Sequence, residues 1–260
     1  VGAREGVPAL EARNLTKSFG GIHAVRGVSL SIPAGEFHAL IGPNGAGKST
    51  FFSMLSGEQA PTSGEEFLHG RNITGLGVTK ICQLGLSKSY QINQLFDGMT
   101  VASNLHIAML ASERGPFRMD LLRPIEHIPG LRTAAHEILG AIGLDGRADV
   151  HIGDLSYGEK RRLEIGLAVA RSPSVLLLDE PFAGLSAPER KEITALLRQL
   201  RHGRTVVLIE HDMEIVFELA DRISVLSEGQ LLAQGSPSEI QQDERVRVAY
   251  LGGVKTHEPA

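Results

Sequence analysis

The sequence predicts an α/β fold: a parallel sheet packed with helices, an antiparallel β edge, and a helical lobe that interrupts the alternation. Three observations carry this. Short apolar runs such as Phe37–Ile41, Val175–Leu178 and Val206–Ile209 have the length of buried strands. Amphipathic stretches such as Ala187–His202 stand between strands, which is the alternation of a parallel sheet. Residues from about 88 to 172 read as mostly helical.

In chain order, Leu10–Leu15, a Gly20-Gly21 break and Ala24–Ile32 predict the antiparallel edge. Phe37–Ile41 predicts a strand, followed at once by a glycine-rich loop and the helix Ser49–Gly57, and residues 58–75 read as hairpin-like. Inside the lobe, Val101–Ala111, Ala134–Ile142 and Glu159–Arg171 predict helices, with a connection near 113–132. Val175–Asp179 predicts a strand. In the helix Ala187–His202, Ile193, Leu196, Leu197 and Leu200 share one face, and Ser186-Ala187-Pro188-Glu189 reads as its capping box. Then follow the strand Thr205–Ile209, the helix Asp212–Ala220, the strand Ile223–Leu226, and a short helix capped by Ser236-Pro237-Ser238-Glu239. The expected division is one domain: a core lobe of about residues 1–87 and 173–240, a helical subdomain of about 88–172, and a C-terminal tail of 241–260.

The chain has 260 residues, enough to bury a substantial core. Its 26 basic and 30 acidic residues give a net charge of −4, which argues against nucleic acid as the main partner. The single cysteine, Cys82, allows no intrachain disulfide and fits a reducing compartment. A small buried hydrophobe is the favoured reading of that residue. No run of 18 apolar residues suits a membrane span, and Val1–Pro8 lacks an apolar signal core, so the chain is expected to stay in the compartment where it is made.

Gly42-Pro43-Asn44-Gly45-Ala46-Gly47-Lys48-Ser49, followed by Thr50, matches the Walker A phosphate loop in its required context, strand before and helix after. Glycines let backbone N–H groups and a helix N-terminus face a phosphate chain. Lys48 is expected to reach the β- and γ-phosphates of ATP, and the Ser49 hydroxyl to ligate Mg²⁺. Asp179 and Glu180 end a buried strand, where open α/β sheets bind ligands. Asp179 is expected in the Mg²⁺ shell and Glu180 as the group that orients the attacking water. Adjacent strand residues point to opposite faces, which suits two roles.

Leu155-Ser156-Tyr157-Gly158-Glu159 lies about twenty residues before those acids. Together with the Walker motifs it resembles the signature LSGGQ of ATP-binding-cassette (ABC) ATPases, departing at Tyr157 and Glu159. The departure is tolerable because Ser156 keeps the hydroxyl, Gly158 allows close backbone approach, and a helix N-terminus follows. The resemblance implies a P-loop NTPase core with an antiparallel β edge and an inserted α-helical subdomain. It also implies a head-to-tail dimer in which each ATP lies between one Walker A loop and the partner's Ser156 and Gly158. Phe19 matches the aromatic that stacks on adenine, Gln91 the Q-loop glutamine that touches Mg²⁺, and His211 the switch histidine that contacts the γ-phosphate. Gly184-Leu185-Ser186 resembles the D-loop, with Ser186 in place of its usual Asp.

The resemblance spans roughly residues 9–253 and is closest to LivG-like subunits of branched-chain (hydrophobic) amino-acid importers. It rests on Leu155–Gly158 running into Arg161-Arg162-Leu163-Glu164-Ile165, on the connection at about 111–132, and on the ending Gly235-Ser236-Pro237 … Ala249-Tyr250-Leu251-Gly252. It implies a second ATPase subunit, identical or different, together with transmembrane permease subunits and a substrate-binding protein. The location implied is peripheral, on the cytoplasmic face of the inner membrane. The cargo implied is a branched-chain amino acid or a related urea, amide or aromatic acid. The loop at about 92–104 is the expected docking surface, where Ile92, Leu95 and Phe96 serve either docking or ordinary lobe core. The alternatives are a non-transport ABC ATPase of the iron–sulfur assembly type and a lipopolysaccharide-export ATPase.

Overall fold

The computed structural model describes residues 6–89, 95–114 and 130–251. A first hairpin pairs β1 (Leu10–Phe19) with β2 (Ile22–Ile32). Then come β3 (Phe37–Ile41), α1 (Lys48–Leu55), β4 (Ser63–Leu68), β5 (Arg71–Asn72), α2 (Val78–Gln83) and β6 (Leu86–Lys88). The helical lobe contributes α3 (Val101–Arg114), α4 (Leu131–Ala141) and α5 (Tyr157–Val169). The chain returns through β7 (Val175–Asp179), α6 (Ala187–Leu200), β8 (Thr205–Ile209), α7 (Met213–Leu219) and β9 (Arg222–Ser227). It then runs through β10 (Gln230–Gly235), α8 (Pro237–Gln242) and α9 (Glu244–Leu251).

Two sheets result. The antiparallel sheet has the order β2-β1-β4-β5, and the larger sheet has the order β10-β9-β3-β8-β7-β6. Strands β6, β7, β8, β3 and β9 run parallel, and β10 pairs antiparallel with β9. The central strands β3, β7 and β8 are buried on both faces, so they read as continuous apolar runs. On β7, Leu176 and Leu178 join the core beneath the helical lobe, while Val175 and Leu177 face the core shared with the antiparallel sheet. Phe51 and Phe52 of α1 are fully buried in that second core. Burying such a side chain contributes roughly 1.5–3 kcal/mol.

Register positions the site. Leu40 of β3 and Asp179 of β7 both align with Ile209 of β8, and Ile41 aligns with Val225 of β9. The loops that leave β3, β7 and β8 therefore emerge along one edge of the sheet.

Several elements escape the sequence pattern. Strand β6 has three residues, two of them Ser87 and Lys88, and no apolar run to mark it. Strand β10 and helix α2 are equally short on periodic signal. Residues 244–251, expected within a tail, form α9, where Val246 is buried and Tyr250 packs against the same cluster.

Candidate functional site

The phosphate loop is shaped by glycines with positive φ. Gly42 has φ 152° and Gly47 has φ 95°. A Cβ on Gly42 would run into the Leu226 carbonyl, and one on Gly47 into the Ala24 carbonyl of β2. Any larger residue would push the loop off both neighbouring strands. Pro43 and Thr50 are half-buried, Asn44, Gly45 and Ser49 are exposed, and Ala46 is buried. The Ala46 amide donates to the Pro43 carbonyl at 3.2 Å, and its carbonyl accepts from Gly229 N at 3.1 Å. Helix α1 opens at Lys48, so Ser49 and Thr50 lie in its first turn, where unpaired N–H groups and the helix dipole favour an anion. Lys48 Nζ donates to the carbonyls of Gly42 at 2.7 Å and Pro43 at 3.0 Å. Burial pulls its pKa down, and Glu180 and Asp179 oppose that pull.

Phe19 ends β1, opposite Ile22, at the tip of the hairpin whose Ala24 touches Gly47. Its ring is 47% exposed, with Lys17 Nζ 5.2 Å from its centroid. An exposed ring at the tip of this hairpin offers a face to a base.

At the end of β7, Asp179 is half-buried, and burial pushes its carboxyl up while Lys88 opposes the shift. Glu180 does not continue the strand. It adopts φ 46°, in the left-handed region that non-glycine residues seldom occupy. The expectation that adjacent strand positions separate the two acids is therefore replaced by a backbone turn that aims Glu180 away from the ladder. The Glu180 amide donates to Ile209 O at 3.0 Å, and Glu180 Oε1 lies 3.7 Å from His211 Nδ1. His211 is 64% exposed at its side chain, immediately before Asp212, the N-cap of α7. The structure thus brings Lys48, Asp179, Glu180 and His211 to one sheet edge.

Sequence reasoning missed Glu210. Its side chain is 1% exposed, and its carboxylate accepts from Phe182 N at 3.0 Å and His211 N at 3.1 Å. Burial pushes its pKa up, and those amides oppose it. One buried carboxylate therefore ties the segment after Glu180 to the backbone of His211. Nothing in the pattern Glu210-His211-Asp212 distinguishes an inward carboxylate from an exposed one.

The signature stretch opens α5. Ser156 is the N-cap; its Oγ accepts from Glu159 N at 3.2 Å, while its own amide donates to Glu159 Oε2 at 2.8 Å. Glu159 fits because either Glu or Gln closes a capping box. Gly158 packs closely within the chain: a Cβ there would displace the Glu189 side chain of α6. Ser186 donates to Glu189 Oε2 from its amide at 2.8 Å and its Oγ at 2.6 Å, so the residue in the D-loop aspartate position serves as the cap of α6.

Gln91 and Ile92 lie outside the described residues. Leu95 packs half-buried against the lobe core, whereas Phe96 is 53% exposed and lines a cavity of about 220 Å³ with Val78, Ile107 and Leu167. Buried Asn104, also unmarked in the sequence, accepts from Phe96 N at 2.9 Å and so fixes the backbone there. Among the described residues no group of three or more His, Cys, Asp and Glu is placed to hold a metal ion, and no helix is long and apolar enough to cross a membrane.

Comparison with known proteins identifies the family. Residues 25–183 match the ABC transporter family, and residues 230–256 match the branched-chain amino acid ATP-binding cassette transporters. The chain is 40% identical over 254 residues to the high-affinity branched-chain amino acid transport ATP-binding protein LivG of Salmonella typhimurium, a match covering 94% of this chain and 98% of that one. It is 39% identical to BraF of Pseudomonas aeruginosa over the same span and coverage. An ATP-binding cassette of an ABC transporter in its ADP conformation superposes with TM-score 0.84 at 28% identity, covering 94% of this chain and 99% of that one. A dimeric cassette in a post-hydrolysis state bound to ADP and Pi superposes with TM-score 0.74 at 26% identity, covering 88% and 98%. With a phosphate loop, a strand-end acid pair and a capped signature helix on a matching fold, the chain belongs to the ABC transporter family as one of its ATP-binding subunits.

Proposed function

We propose that this chain is the ATP-hydrolysing subunit of an importer for branched-chain amino acids or related small molecules. It works as one of a pair of ATPase subunits on the cytoplasmic face of the membrane, docked on permease subunits and served by a substrate-binding protein. The likeness to LivG and BraF and the match over residues 230–256 support the cargo class. The observation that carries the reading is the convergence of Lys48, Asp179, Glu180 and His211 at one sheet edge.

The loop amides of 42–47 and the start of α1 cradle the phosphates of ATP, and Phe19 stacks on its adenine. Lys48, held over the loop carbonyls, moves its ammonium to the β- and γ-phosphates. The donor set fits Mg²⁺, a hard cation bound by one or two oxygen side chains plus substrate phosphates. Ser49 and Asp179 would hold it, with Gln91 as the resemblance implies. When bound, that ion neutralises charge that builds on the phosphate oxygens. Glu180 accepts a hydrogen bond from the attacking water and aligns it. His211, 3.7 Å away, contacts the γ-phosphate and restrains the same water. Ser156 at the tip of α5 caps the ATP held by the partner's phosphate loop. The cavity beside Phe96 receives an apolar segment of a permease subunit.

Glu180→Gln tests the core of this reading. Hydrolysis should fall by roughly 10²–10⁴-fold, the scale of a positioned general base, with ATP affinity retained. Near-normal turnover would reject the assignment.

A further inference from the structure

We propose that Arg161 is a positioning residue for hydrolysis, holding the backbone of Glu180 in its left-handed turn and tying that acid to the signature helix. The proposal rests on the role assigned to Glu180 above. Arg161 is 4% exposed and spends its guanidinium on three acceptors. Nε donates to Pro181 O at 2.9 Å, one terminal nitrogen donates to the Glu180 carbonyl, and the other donates to Glu164 Oε2 at 2.8 Å. Glu164 is itself 5% exposed, so both members of the ion pair are buried behind the catalytic turn, with Glu164 Oε1 left without a hydrogen-bond partner. A buried pair repays its desolvation only with good geometry and further hydrogen bonds, and here two of the acceptors are the main-chain carbonyls of Glu180 and Pro181.

The other constraints agree. The Glu180 amide is fixed by Ile209 O, its carbonyl also accepts from Ala183 N at 3.1 Å, and Glu210 fixes Phe182 N from the opposite side. A glutamate held at φ 46° persists only where its surroundings over-determine it. The helix contributes a second hold. Tyr157, Arg161 and Glu164 recur at i, i+4 and i+7, on one face of α5. Tyr157 Oη donates to Ala183 O at 3.2 Å, and its ring lies against Gly184, where a Cβ would sit 3.1 Å from Tyr157 Oη. Tyrosine at the signature's third position is thus a brace on segment 180–184. The helix whose tip faces the partner's nucleotide grips the turn that carries this chain's own water-orienting acid.

The test measures turnover and nucleotide binding of the full chain separately. Arg161→Lys keeps a positive charge beside Glu164 but loses the planar fork that spans three acceptors. It should lower kcat about 10- to 100-fold, the scale of a small misplacement of a catalytic group. The KM for ATP and the affinity for a fluorescent ATP analogue should stay within about 3-fold of wild type, since neither Lys48 nor the loop is disturbed. The paired variant Arg161→Met, Glu164→Leu removes both buried charges. It should melt within about 3 °C of wild type and still turn over about 10-fold or more slowly. Wild-type kcat in either folded variant overturns the proposal, as does a loss carried by KM alone. Unfolding of both variants assigns Arg161 a structural role and overturns it too. Glu180→Gln measured alongside separates the two readings. If it is slow while the Arg161 variants are not, only the positioning role fails; if it is as fast as wild type, the role of Glu180 fails first.

Discussion

At Glu66 the chain buries a carboxyl group on the inner face of β4, 1% exposed, with Oε1 lacking a hydrogen-bond partner. Burial pushes its pKa from the ordinary 4.5 to about 7. A raised carboxyl binds its proton more tightly in the folded state, so its contribution is favourable below pH 4.5 and is lost as pH rises through 7. At about 1.4 kcal/mol per pH unit of displacement, ionisation withdraws about 3 kcal/mol at pH 8. Glu66→Gln should therefore leave urea stability nearly unchanged near pH 5 and raise it by about that amount at pH 8. An equal difference at both pH values would show that the group does not titrate on unfolding. Lys48 gives the second prediction at this scale. Lys48→Ala should abolish tight ATP binding, because the loop amides alone cannot offset the charge of the terminal phosphates. Retained affinity in a titration with ATP would remove Lys48 from the site.

Helix α5 packs against α3, α4 and β6 and carries the signature stretch at its entry. Its entry is a reciprocal box of Ser156 and Glu159, and Arg147 Nε adds an exposed contact to Glu159 at 2.9 Å. Loss of an N-cap hydroxyl costs about 1 kcal/mol, whereas an exposed ion pair contributes about 0–1 kcal/mol. Ser156→Ala should accordingly lower Tm by about 2–4 °C, while Glu159→Gln, which can still close the box, should leave it within about 1 °C. Thermal melts of the two variants decide this; a larger loss in the glutamine variant would place the stability in the Arg147 contact instead. The capping pattern was legible in the sequence because it is local. The inward face of the same helix was not: the run Lys160-Arg161-Arg162-Leu163-Glu164 does not say which charges turn inward, and only the packed chain sets Arg161 on the Glu180 carbonyl with Glu164 as its ion partner.

For the whole molecule, the proposed function implies a site that is half-built in any one chain. Ser156 and the phosphate loop sit on different lobes, and the solved dimeric cassette bound to ADP and Pi shows that a relative of this fold pairs. Glu180→Gln with saturating ATP and Mg²⁺ should elute at twice the monomer mass, alone or with a second ATPase subunit, and return to the monomer with ADP. A species that stays at monomer mass in both settings would defeat the shared-site reading.

The local text of this chain determined its chemistry. A phosphate loop between strand and helix, two acids closing an apolar run, and a Ser-Gly helix entry are patterns of adjacent residues, governed by backbone rules that act over a few positions. Their placement at one edge was decided by strand register, in which Leu40 and Asp179 meet at Ile209 across more than a hundred residues of chain. The same holds for the turn at Glu180, the inward carboxylate of Glu210 and the buried Arg161. Each depends on which backbone groups lie nearby in space, and burial of a charge is a property of the packed fold that no short window of sequence records.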